Sequence, residues 1–376
     1  MKRLLLIGGG IAHAELLAGL AAASTRNADV TLVHPRRLMI LPSLAAELVA
    51  GQVSHAEACY DLGALAKRIR ARFVEDAVVG LDAHARVATT ESGQRLEFDV
   101  ASIDAPTTTA SPEVPGVREN ALLARPTELF VEGFDRVVEL VRDGLLRRIA
   151  FVGGGAWAAE MWLAAHRRLV REVPQATLAG CGFHLVTTGA RLVEELPEAA
   201  SEVFEAACMV RGISLLRGAA PIEVTRETLH LANGARLATD VTLWAQGNTP
   251  PRWLRAAGLA LDAAGFLAVD AQLRSTSHAH VFAAGDSARV LGMPAAEDPV
   301  LRERQALLLT ANVQAALAAQ PLANWTEAPP APRWFVVGER EAVMLRDGAL
   351  VQSVRWWRWR RKMAAEAARR KRLQPA

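Results

Sequence analysis

Cysteine is scarce: Cys59, Cys181 and Cys208 are the only three in 376 residues, and they lie far apart with no CxxC pair. That excludes a disulfide framework and a cysteine zinc cluster, and an odd, scattered count fits a reducing cytosol. Long apolar runs are missing too, since no stretch reaches the roughly 18 uninterrupted apolar residues of a membrane-spanning helix. Neither an HExxH spacing nor a Ser/His/Asp arrangement can be read, and His55, His84, His166, His184, His230, His278 and His280 are dispersed without partner acids. Excess charge of one sign is also absent: 43 basic residues stand against 40 acidic ones, a net +3. The balance conceals an asymmetry. Nine basic residues and one acid, Glu366, fall between Arg355 and Arg372, which leaves the remainder mildly acidic. A charge block of this kind can signal contact with a membrane or a polyanion.

What is present is ample apolar material, 51% of the chain, and a length that sets a prior of two to three domains of roughly 150 residues each. The first 24 residues mimic a secretory signal, with a basic start, an apolar stretch and a small-residue end. His13, Glu15 and three consecutive glycines interrupt it, so a folded opening is expected instead.

That opening reads as strand, turn, helix, strand: RLLLI at 3–7, Gly8-Gly9-Gly10, a helix over 11–23, then VTLV at 30–33. Gly8 permits the turn and Gly10 lets the backbone approach a pyrophosphate, while the helix start at Ile11 and Ala12 points amides and a positive dipole end at that anion. Two positions depart from the fingerprint. His13 replaces the third glycine, which is read as a packing substitution, and His34 stands where an acid would bind ribose hydroxyls. The design recurs at 148–169, with IAFV, then Gly153-Gly154-Gly155, then a helix, and here Gly153, Gly155 and Ala158 fill all three positions. Two such units with correct flanks are far more specific than one, so two bound dinucleotides are expected. After the second unit's strand HLVT come Thr188, Gly189, Ala190 and Arg191, with no carboxylate before Glu194. An acid there would favour NADH and an arginine NADPH, so the choice stays open.

These elements resemble the two-dinucleotide-domain flavoproteins, a group that includes type II NADH dehydrogenases and pyridine nucleotide-disulfide oxidoreductases. Further segments carry the likeness. HVFAAGDSA at 280–288 is similar to the motif whose aspartate, here Asp286 after Gly285, contacts FAD. LPSLAAELVAG at 41–51, ARFVEDAVVGLD at 71–82 and VTLWAQGNTPPRWL at 241–254 match in order, and Arg304-Gln305 matches the start of a helix beneath the flavin ring. Within the group the likeness is greatest to the dehydrogenase-like module that some bacteria fuse to selenide, water dikinase. The resemblance implies an α/β fold of two Rossmann-like domains with a small C-terminal α+β domain. FAD would be held by 1–118 and 249–318, NADH or NADPH by 119–248, and 319–376 would form the third unit. It places Gln246 and Gly247 at the nicotinamide nucleotide and gives Glu160 an orienting role between nicotinamide and flavin. Trp157 and Trp162 on the same helix are read as packing residues.

The departures are informative. Neither the redox cysteine pair of disulfide reductases nor the flavin-side cysteines of sulfide:quinone reductases is matched. Ile103-Asp104-Ala105-Pro106-Thr107 replaces a glycine-containing turn near the FAD phosphates, and Gln246 replaces a threonine. The expected function is an FAD-dependent NAD(P)H oxidoreductase that passes electrons to a quinone or another small acceptor. The alternative is a degenerate, non-catalytic flavin- or nucleotide-binding protein serving as sensor or partner subunit. RWFVVGEREAVMLRDGALVQSV reads as short strands turning at Asp347-Gly348. Beyond them, Trp356, Trp359, Met363 and Ala367 fall on one helical stripe flanked by cations. That stripe would either rest on the inner face of the cytoplasmic membrane through Arg355–Arg372 or cap the third unit's core. Nucleic acid is not expected as a partner.

Overall fold

The computed structural model describes residues 1–22, 28–109, 113–293, 299–326, 332–346 and 348–353, together with Arg355, Trp359 and Lys362. Two parallel five-stranded sheets dominate. The apolar run Leu4–Ile7 is buried on both faces, as a strand covered by helices above and below must be. It belongs to Lys2–Ile7, which pairs in parallel with Ala28–Val33 on one side and Val100–Ile103 on the other. Arg72–Val74 and Val281–Ala283 complete the edges.

The second sheet follows the same plan. Arg148–Val152 is central, Gly182–Val186 and Ile213–Leu216 lie to one side, and Val241–Trp244 and Ala121–Leu123 lie to the other. In both units a three-stranded antiparallel meander separates the third strand from the returning one. The first meander comprises Val78–Asp82, Val87–Thr90 and Arg95–Glu97; the second comprises Pro221–Val224, Thr228–Leu231 and Arg236–Ala238. The duplication visible at the glycine turns therefore extends through a whole unit. The edge strands come from opposite directions along the chain, so two crossings are needed, and Thr108 and Thr249 bridge where these crossings meet. A third sheet, Arg333–Val336, Ala342–Arg346 and Ala349–Ser353, is antiparallel. It packs on the second unit, with Phe335 edge-on to Phe204.

The second unit's core centres on Trp162, from helix Ala156–Glu172. Its ring is fully buried, stacks on Phe151 at 5.5 Å and meets Phe130 edge-on at 6.0 Å. The indole N–H donates to the Gly153 carbonyl at 3.2 Å, so one residue both fills the core and fixes the second glycine turn. Trp162→Ala is expected to lose ~3–5 kcal/mol of stability by urea denaturation. Trp162→Phe should recover most of that while still missing the bond to Gly153, worth about 1 kcal/mol.

Candidate functional site

The first glycine turn lies at the C-terminal end of the central strand, the usual ligand edge of a parallel sheet. Because Val100–Ile103 runs parallel beside it, the continuation Asp104–Thr107 crosses directly over the turn. Gly8 has φ +97°, and a Cβ there would overlap the Asp104 and Ala105 backbone; at Gly10 a Cβ would overlap the Asp104 carboxylate. Glycine is required at both positions. The turn is then tied down by Gly8 N–H to the Val33 carbonyl at 2.9 Å and by the Tyr60 hydroxyl, which donates to the Gly9 carbonyl at 2.7 Å.

The helix Ile11–Ala22 leaves its first amides without intrahelical acceptors, which is why such a terminus attracts anions. Here an internal carboxyl group is present. Asp104, fully enclosed, accepts from Ala12 N–H at 2.9 Å and His13 N–H at 3.3 Å. Burial pushes its carboxyl up to about 7, with the Asp286 charge adding to the effect and the two amides and Arg302 opposing it. His13 is a packing residue that also makes two defined hydrogen bonds. Its Nδ1–H donates to the Gly8 carbonyl at 2.7 Å, so Nε2, 2.9 Å from Ser102 Oγ, accepts. Burial lowers its pKa to about 4, which keeps that neutral tautomer in place.

Among the described residues, several buried polar atoms, that of His34 beside this turn among them, have no hydrogen-bond partner in the protein. They include His34 Nε2, Thr107 Oγ1, Ser287 Oγ and Arg304 Nη1. His34 is 3% exposed and its ring flanks Gly9, so the unsatisfied nitrogen sits at the turn. Orphaned groups in such numbers call for a polar ligand, since each is costly to leave dry. With Gly8 and Gly10 they fit a dinucleotide, and His34, Ser287 and Arg304 are the side chains that would hold it. Asp104 is the one element that competes with it. Asp286 is 22% exposed, ion-paired to Arg125 and, at 2.6 Å, to Arg302. Burial works to raise its pKa, but the guanidinium groups of Arg302 and Arg125 prevail and hold it below the usual carboxylate range.

The second turn, Gly153–Gly155, opens helix Ala156–Glu172 in the same way, with Ala158 buried beneath it. An internal carboxylate again reaches the helix start, because Glu195 accepts from Ala156 N–H at 2.6 Å, but this one is exposed. Thr188 is exposed at the strand end. Arg191 turns away into its own loop, donating to Ser201 Oγ and, at 3.0 Å each, to the Glu194 and Leu196 carbonyls. Glu194 folds back instead and accepts from Ala190 N–H at 2.7 Å. Val193 between them has φ +50°, unusual for a β-branched residue, and its N–H donates to the Gly154 carbonyl at 2.7 Å. Strain of this kind is retained where the surroundings hold a loop in one functional shape.

Arg125 brings the two openings together. Its guanidinium lies 4.2 Å from the centroid of the Trp157 ring, on the second helix, while pairing with Asp286 of the first site. Gln246, half-buried with Oε1 unpartnered, and Gly247 lie on the crossing near Thr249. Gln305 is buried on helix Pro299–Leu317 beside Arg304, and Gly285 stands against the Asp104 carboxylate. Glu160 is buried with its carboxylate accepting from Val336 N–H at 2.7 Å, which ties the second unit to the third sheet. Asp104, Arg125 and Arg302 meet around the first opening, and the sequence patterns do not single them out as ligands. A signal for Asp104 is nonetheless there: a carboxylate directly after an apolar parallel strand, beside a glycine turn.

The three cysteines are not joined by disulfides. Burial pushes the Cys208 thiol up to about 12 and also raises Cys181, so neither is a ready thiolate. Among the described residues, no helix is long and apolar enough to cross a membrane, and no group of His, Cys, Asp and Glu could hold a metal ion. Of the proposed tail stripe, Trp356, Met363 and Ala367 lie outside the described residues; Trp359 packs on Trp334 at 4.7 Å while 44% exposed.

Residues 2–315 match the family described as pyridine nucleotide-disulphide oxidoreductase. Similar folds include the sulfide:quinone oxidoreductase of the hyperthermophilic bacterium Aquifex aeolicus, with a TM-score of 0.80 and 16% identity over 99% of this chain and 92% of that one. NDH2 from Plasmodium falciparum, solved with NADH, aligns with a TM-score of 0.77 and 12% identity over 99% and 98%. The water-forming NADH oxidase of Lactobacillus brevis, also bound to NADH, gives 0.71 and 17% over 92% and 75%.

Asp104 has a direct consequence for stability. Its pKa rises from an unfolded 3.8 to about 7. The folded state therefore holds the proton more tightly, and ionised Asp104 penalises folding increasingly as pH rises across that window. Asp104→Asn removes the titration but keeps an acceptor for both amides. Its stability advantage over wild type, measured by denaturation in urea, should grow from pH 4 to pH 7 and level off above.

Proposed function

Because the chain belongs to the pyridine nucleotide-disulphide oxidoreductase family, its chemistry is FAD-dependent oxidoreduction with NADH or NADPH, and we propose that it delivers electrons from the nucleotide to a quinone or another small acceptor without a redox disulfide. The observation that carries this reading is Arg125, which ties the second nucleotide cradle, through Trp157, to Asp286 of the first. Bound FAD would supply the redox chemistry, as an acceptor of hydride and a donor of electrons. The chain's own residues bind and align. Arg302 and Arg125 hold Asp286 ionised, so it can accept hydrogen bonds from cofactor hydroxyls. Cys208 and Cys181, with raised thiol pKa values, are poorly suited to relay electrons as thiolates.

The second site is read as preferring NADH. The Arg191 terminal nitrogens are engaged within the loop, and Glu194 supplies a carboxylate at the strand end, the place of a ribose-binding acid. A peripheral position on an anionic membrane through Arg355–Arg372 is part of the same proposal, resting on charge.

A second reading, a degenerate nucleotide-binding protein used as a sensor or partner subunit, is favoured by Asp104, whose carboxylate takes amides that a pyrophosphate would use. An absorbance spectrum of the purified protein before and after NADH, under argon, separates the two. Flavin bands that bleach and recover on adding a quinone are expected; bound flavin that NADH cannot bleach would establish the degenerate reading. In steady-state kinetics kcat/KM for NADH should exceed that for NADPH. Glu194→Gln should narrow the ratio by roughly tenfold, the loss of one charge-assisted hydrogen bond.

A further inference from the structure

One side chain, the Asp104 carboxylate, closes the start of the opening helix. It is buried, lies directly over Gly10 and against Gly285, and engages the amides of Ala12 and His13. The neighbouring unsatisfied atoms, His34 Nε2 and Ser287 Oγ, both on residues more than nine-tenths buried, show that the surroundings are built for a polar ligand. The helix end is thus a ligand seat with an internal occupant.

Resting on the reading of this opening as the FAD site, we propose that Asp104 is an internal stand-in for the cofactor pyrophosphate: the first cradle accepts FAD only when Asp104 has gained a proton, so binding takes up one proton and tightens as pH falls. The physical reason is charge. An ionised carboxylate on the same amides repels the incoming diphosphate, and in an enclosed site that repulsion is little screened. Protonated, the same group loses its charge and presents an O–H donor to a phosphate oxygen.

The groups facing Asp104 leave it as the one that changes charge near neutrality. They are His13 on the opening helix, Asp286 on the 285–287 turn, Arg302 on helix Pro299–Leu317 and Tyr60 on Cys59–Asp61. His34 stands behind Gly9, and Arg125 reaches Asp286. Burial holds His13 neutral down to about 4 and lowers His34; burial raises Tyr60 well above 10; and Arg302 and Arg125 keep Asp286 ionised.

The test uses the full-length chain stripped of flavin, with FAD binding followed by quenching of flavin fluorescence at pH 6 and pH 8. With a carboxyl near 7, the competent fraction falls about tenfold between these values, so wild type should bind FAD about tenfold more tightly at pH 6. Asp104→Asn should bind equally at both pH values and more tightly than wild type at pH 8. Asp104→Ser, which also removes the charge, should behave likewise if the asparagine variant folds poorly. Wild-type affinity that does not change with pH, or an Asp104→Asn protein that keeps the wild-type dependence, overturns the role of Asp104 and leaves the FAD site standing. Failure of wild type and both variants to bind FAD at either pH overturns the site reading and this proposal together.

Discussion

The mouth of the first sheet is organised by one close approach. The backbone of Asp104 and Ala105 passes so near Gly8 that no side chain fits there, and the Asp104 carboxylate does the same to Gly10. Parallel pairing of Val100–Ile103 with Lys2–Ile7 makes this unavoidable, because both strands end at the same edge and their continuations must share the space above it. The hydrogen bonds from Ala12 and His13, the His13 bridge to Gly8 and Ser102, and the Tyr60 bond to Gly9 all follow from holding that crossing in place. The cradle geometry and its internal acid are therefore products of one constraint.

The second unit shows what the same plan does without that constraint. There the carboxylate at the helix start is that of Glu195, an exposed residue between buried Val193 and Leu196, and solvent screens it. A buried acid at a helix N-terminus is expensive to ionise; an exposed one is not, and it can move aside for a ligand at little cost. Duplication thus yields two cradles with similar backbones and different electrostatics. Arg125, between them, couples the sites through an ion pair on one side and an aromatic face on the other.

Much of this is legible in the chain. The glycine turns, the apolar parallel strands, the Gly285-Asp286 motif and the short strands around Gly348 are local patterns, written in adjacent residues. What escapes depends on where side chains reach. In the 103–107 turn the conspicuous residue is Pro106, which is exposed, whereas the consequential one is Asp104, whose partners lie 91 and 92 positions away. His13 packs as its position implies, and its ring also bonds two elements, because Ser102 happens to face it. Arg191 reads from sequence as a candidate for a phosphate, but its loop folds back on it, and that folding brings the Glu194 carboxylate onto the Ala190 amide. Glu160 sits where the resemblance puts it in sequence, but its carboxylate holds the backbone of Val336, from a sheet 176 residues downstream.

The amides of the opening helix do not hold an ionised Asp104 and a pyrophosphate together. A crystal structure of the full chain with FAD, at a resolution that separates the two C–O bond lengths of a carboxyl group, tests it most directly. The expected result is a pyrophosphate at the start of helix Ile11–Ala22, with Asp104 protonated and donating to it. An ionised Asp104 in the complex, whether still accepting from both amides or turned away from them, would overturn it.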